Sequence, residues 1–91
     1  MKHTRIKIKY TKLGRSKIWG HADDYPLTID ARIKGKKHME IVIHECVHYL
    51  LPLATEEEVE RISIRLTHTL WYEGYRRTDN DNKIPLQDGS K

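Results

Sequence analysis

Residues 41–52 read IVIHECVHYLLP, and the way this stretch folds decides the architecture of the chain. Its apolar positions recur at helical spacing, and Pro52 stops the pattern. The spacing predicts a helix from about Lys37 to Leu51, with Met39, Val42, Ile43, Cys46 and Leu50 on one side. His44 and His48, four residues apart, stack together on the other side. Ile41, Val47 and Leu51 flank the histidines, so the helix is apolar nearly all round and is expected to be largely buried. Two imidazoles in such a place need polar partners.

Within that helix His44-Glu45-Cys46-Val47-His48 spells HExxH. One helical turn separates the histidines, so both can reach a single Zn²⁺ at about 2.0–2.1 Å. Glu45, about 100° round the helix from His44, can hold a water at an open coordination position and carry its proton. The expected cofactor is Zn²⁺, because two imidazoles and a carboxylate suit that ion. Cys46 is the chain's single cysteine, which excludes an internal disulfide and reads as a small buried apolar residue.

A catalytic zinc takes three protein ligands, and the candidates follow Pro52. Thr55 with Glu58 three residues later forms a capping box that starts a second helix, running to about Glu73 before Gly74 ends it. Its predicted apolar stripe is Val59, Ile62, Leu66 and Leu70. At about 100° per residue, Glu56 is turned roughly 60° from the stripe centre near Val59, and Glu60 roughly 100°. Glu57 points away, and Glu58 has the capping role. Glu56 is therefore the expected third ligand. Glu60 is expected to orient a ligand histidine from its far nitrogen. The rival assignment makes Glu60 the ligand, because a short hairpin sets it more nearly level with the histidines.

Upstream the period is two. Arg5 to Tyr10 alternates, with Ile6, Ile8 and Tyr10 on one face and Arg5, Lys7 and Lys9 on the other. Leu13 to Ser16 reads as a turn, Lys17 to Gly20 as a second strand, and His21 to Pro26 as a loop. Leu27 to Ile33 alternates again and predicts a third strand. Trp19 and Trp71 are expected in the core. His21 beside Asp23 and Asp24 reads better as turn capping than as a second metal site.

The chain has 91 residues and a net charge of +4, with every charged side chain from Met1 to Gly20 positive. Those lysines suit a solvated edge strand better than a nucleic-acid surface, though phosphate contact through the basic N-terminal strand stays open. No apolar run approaches the about 20 residues needed to cross a bilayer, and the N-terminus lacks a signal-peptide core. The expectation is a cytoplasmic protein with one domain over residues 1–77 and a polar, mobile tail over 78–91. Asp79, Asp81 and Asp88 in that tail suggest an inhibitory carboxylate.

HExxH on one helix with a glutamate on the next resembles the gluzincin metallopeptidases. The Glu56 and Glu60 pair is similar to that clan's ligand and supporting carboxylate. The chain looks closest to minimal gluzincins, and it resembles short phage and prophage proteins in several shared positions. These are Trp19-Gly20, Ile43 to His48, Leu70-Trp71 and Gly74-Tyr75-Arg76. The resemblance implies a peptide or protein substrate lying along the Leu27 to Ile33 strand as an edge. If the protein is phage-encoded, its compartment is the host cytoplasm. Larger gluzincins bring an oxyanion-stabilising histidine or tyrosine from a second lobe that has no counterpart here; Tyr49, Tyr72 and Tyr75 are the substitutes to consider.

The expected fold is α+β, a small three-stranded, mainly antiparallel sheet followed by two packed helices. The expected function is zinc-dependent peptide-bond hydrolysis, with His44, His48 and Glu56 as ligands and Glu45 as base. The alternative is a zinc-binding interaction or regulatory protein with little or no catalysis.

Overall fold

The computed structural model describes residues 4–13 and 19–78. Three strands precede two helices: β1 (Ile8–Thr11), β2 (Gly20–His21), β3 (Leu27–Asp30), α1 (Gly35–Leu50) and α2 (Glu56–Tyr72). This is the expected α+β class. Most of the turn expected at Leu13 to Ser16, the first two residues of the expected second strand, and residues 79–91 of the expected tail lie outside the described residues.

The sheet order is β1-β3-β2. β1 runs parallel to β3 in register Ile8↔Leu27 to Thr11↔Asp30, and β2 runs antiparallel to it through Gly20↔Ile29 and His21↔Thr28. The sheet is thus mixed rather than mainly antiparallel, and β3 is its centre rather than an edge. The reason is burial. All four residues of β3 are buried, so this strand takes the position enclosed on both sides, while β1 takes an edge where Lys9 reaches water.

β3 stops at Asp30, short of the expected Ile33, because the Asp30 carboxylate reorganises the chain after it. Its oxygens accept from the Arg32 backbone N–H at 2.8 Å, the Leu13 N–H at 3.2 Å, and the Arg32 guanidinium at 2.9 and 2.7 Å. One buried carboxylate therefore joins the end of β3 to the chain leaving β1. Gly35 then adopts φ +65°, a left-handed turn that lets the chain enter α1. Gly20 permits the opposite edge to close: a Cβ there would meet Thr28 O at 3.0 Å and both Ile29 Cδ1 and Ile41 Cγ2 at 3.1 Å. β2 thus lies directly against α1.

Leu27, Ile29, Ile33, Val47 and Val59 form the buried apolar core. α1 is less enclosed than its sequence suggests, since its last turn leaves Leu50 exposed. On α2 the capping box is present: the Glu58 N–H donates to Thr55 Oγ1 at 3.1 Å, and the Thr55 N–H to Glu58 Oε1 at 2.8 Å. The inward stripe is Val59, Ser63 and Thr67, whereas Leu66 is 44% exposed. Small side chains four apart let the two helices approach closely, and a search for apolar residues passes over them. Trp19 is 38% exposed, so it caps the core rather than filling it. After α2 the Gly74 N–H bonds to Trp71 O and the Tyr75 N–H to Leu70 O, with Gly74 at φ +99°. That is a Schellman ending.

No helix among the described residues is long and apolar enough to cross a membrane.

The Arg32 guanidinium beside Asp30 holds its carboxyl well below the usual carboxylate range, aided by the N–H groups of Arg32 and Leu13 against the opposing effect of burial. A depressed folded-state pKa stabilises the protein above the unfolded value of about 3.9, and that contribution is lost as pH falls below it. Asp30→Asn is expected to lower the melting temperature at pH 7 and to flatten the loss of stability below about pH 4. Thermal denaturation of both proteins between pH 7 and pH 2 measures this, and parallel pH profiles would refute the role given to Asp30.

Candidate metal centre

The five residues between α1 and α2 turn the chain back on itself, so the last turns of α1 face the first turns of α2. His44 and His48 project from α1 towards that junction, their ring centroids 4.9 Å apart and their planes at 65°. Glu56, the first residue of α2, closes the group. Its Oε2 lies 3.1 Å from His44 Nε2 and its Oε1 2.9 Å from His48 Nε2. The three donor atoms all fall within 4.8 Å of one another, and this group could hold a metal ion. Donors around a tetrahedral ion at about 2.0–2.1 Å sit about 3.3 Å from each other, so the observed spacing requires only small side-chain shifts. The histidines are half-buried and Glu56 is exposed, which leaves one side of the centre facing solvent.

Glu56 rather than Glu60 meets the histidines, and Glu60 does not enter the group. Nor does Glu60 meet the far nitrogen of His44. Ser63 Oγ does, 3.5 Å from Nδ1, at the long limit for a hydrogen bond. Ser63 is fully buried, and its hydroxyl donates to Val59 O at 2.9 Å and Glu60 O at 3.2 Å. With its hydrogen so committed, Oγ can only accept from His44. With the imidazole proton on Nδ1, this contact would leave the Nε2 lone pair for a metal, whereas without a metal the Glu56 carboxylate 3.1 Å from Nε2 calls for a proton there. Nothing in the spacing of histidines and acids signals this serine; its only mark is a small polar residue on the inward face of α2.

Glu45 is 7% exposed. Burial pushes its carboxyl above the usual range, with Glu56 adding to the rise, while the charges of His44, His48 and His21 oppose it. The carboxyl therefore sits within the electric field of the same group, in a dry setting that brings a base closer to neutral pH. His21, expected in a capped turn, lies instead on β2 beside α1, and its buried Nδ1 has no hydrogen-bond partner. Burial also raises the Cys46 thiol, with Glu45 adding to the rise, and its sulfur is not among the grouped donor atoms.

Tyr72 and Tyr75 stand at the far end of α2, about 25 Å from Glu56 by helix rise, and cannot serve the centre. Tyr49 lies beside His48 and stacks on Tyr25 with ring centroids 5.3 Å apart. No protein-family model, curated protein or solved structure matches the chain. The functional reading therefore rests on this geometry.

Ser63→Ala is expected to weaken metal binding about tenfold without unfolding the protein, because His44 loses the acceptor that selects its tautomer. Competition with a chelating dye would measure it, and unchanged affinity would show that Ser63 only packs the helices.

Proposed function

We propose that the chain is a zinc-dependent metallopeptidase of minimal gluzincin-like form, with His44, His48 and Glu56 as ligands and Glu45 as general base. The observation that carries this reading is the convergence of His44 Nε2, His48 Nε2 and the Glu56 carboxylate beside the buried Glu45. Zinc held there would supply Lewis acidity, polarising a peptide carbonyl and making water acidic enough to attack at neutral pH. The protein's own contribution is positional. Ser63 is placed to accept from His44 Nδ1 once a metal takes Nε2, α1 holds both imidazoles one turn apart, and Glu45 accepts the proton of the attacking water. Glu45 then returns that proton to the departing amine nitrogen. Its elevated proton affinity suits both halves of the transfer.

The resemblance had the substrate pairing with β3, but that strand is enclosed between β1 and β2. A peptide adding to the sheet next to α1 would have to pair with β2, which is two residues long. So short an edge favours a second reading, in which the zinc centre braces an interaction or regulatory protein with little turnover. Glu45→Gln separates the two. In a peptidase it should lower turnover about 10²–10⁴-fold while leaving zinc content unchanged; in a scaffold it should leave function untouched.

Metal analysis of the purified protein by mass spectrometry tests the ligand set. One zinc per chain is expected, with Glu56→Ala weakening binding by more than the roughly 10–100-fold typical of an outer-shell change and Glu60→Ala changing it little. No stoichiometric metal after zinc is added would sink the proposal.

A further inference from the structure

We propose, building on the peptidase reading, that Tyr25 and Tyr49 form a substrate subsite beside the metal centre. It takes an aromatic side chain, so the substrates of this centre are peptides with an aromatic residue close to the cleaved bond.

The pair joins two elements. Tyr49 belongs to the last turn of α1 and directly follows the ligand His48. Tyr25 stands in the connection between β2 and β3, where the sheet ends. Their rings stack with centroids 5.3 Å apart and planes at 29°. The Tyr25 hydroxyl accepts from the Lys7 backbone N–H at 2.9 Å. One ring is thus held by the helix and the other by the segment leading into β1, so the wall is ordered before any ligand arrives. Core packing does not account for it, because Tyr25 is 48% and Tyr49 44% exposed. Tyr10, Trp71 and Tyr72 each carry a cation of the protein over the ring, whereas no cation among the described residues covers Tyr25 or Tyr49.

Position ties the pair to the centre. Tyr49 follows Glu45 by four residues, so the two share one face of α1, with side chains about 5–6 Å apart. Extended peptide advances about 3.3 Å per residue. A peptide with its scissile carbonyl at Glu45 and the metal therefore brings a side chain one or two residues away to the tyrosines. β2 offers only two residues for backbone pairing, so an anchored side chain supplies the hold that a longer edge would give.

Chemistry then selects the side chain. Aromatic rings meet other rings favourably in offset or edge-on contact. Charges of both signs flank the pair, Asp23 and Asp24 just before Tyr25 and Lys7 beside its hydroxyl. An acidic or basic side chain is drawn by one sign and repelled by the other, while a neutral ring meets no opposing charge.

The test is a chemical-shift titration of the full-length Glu45→Gln chain, with zinc added, which reads binding without turnover. The probes are blocked alanine peptides whose central residue is Phe, Lys, Glu or Ala. The Phe peptide is expected to bind about tenfold more tightly than the Ala peptide. Adding Tyr49→Ala should abolish that preference with zinc content unchanged, and adding Tyr49→Phe should keep it, because the ring and not the hydroxyl makes the contact. Absence of binding, equal binding of the Phe and Ala peptides, or tighter binding of the Lys or Glu peptide would overturn the proposal. So would a Phe preference that survives Tyr49→Ala. Failure of the peptidase reading looks different. A wild-type chain that binds the Phe peptide without cleaving it keeps the subsite and loses the catalysis, whereas cleavage without aromatic preference does the reverse.

Discussion

The capping box at Thr55 is the constraint on which the candidate centre depends. By bonding Glu58 to the Thr55 N–H, it fixes where α2 begins and removes one of four nearby acids from competition. Glu56 is then the first helical residue and is turned back towards α1. A start one residue later would rotate every acid by about 100° and take Glu56 away from the histidines. The cap is thus part of the site's geometry as well as a helix-stabilising feature.

A second constraint acts from the sheet side. Asp30 ties the end of β3 to the segment after β1, and Gly20 lets β2 approach both β3 and α1. Together they press the sheet against the helix that carries His44 and His48. In a chain this small the apolar core is only a few residues deep, so buried polar contacts carry an unusual share of the positioning. Ser63 shows this most clearly. It is a small buried residue at the helix interface, lets the helices close, and meets His44 with its oxygen.

The molecule also divides its chemistry along α2. Acids and imidazoles gather at the helix's start, where the macrodipole favours carboxylates, and cations gather beyond its Schellman ending, where it favours positive charge.

How much of this was legible in the sequence follows from the range of each interaction. The two helices, their stops at Pro52 and Gly74, the capping box, the two histidines one turn apart and the inward turn of Glu56 were all readable, because each is set within one or two turns of chain. Strand order was not, since alternation marks a strand without naming its neighbours; that β3 lies in the centre and β1 parallel to it depends on which surfaces are left to cover. The inward stripe of α2 was misjudged at Leu66 because packing against a close neighbour selected small Ser63 and Thr67 over a larger apolar side chain. The sequence by itself determined which residues could bind a metal and on which faces they stand. Tertiary structure alone decided that Ser63 meets His44, that His21 lies near Glu45 and that Tyr25 stacks on Tyr49, because these pairings join residues far apart in sequence.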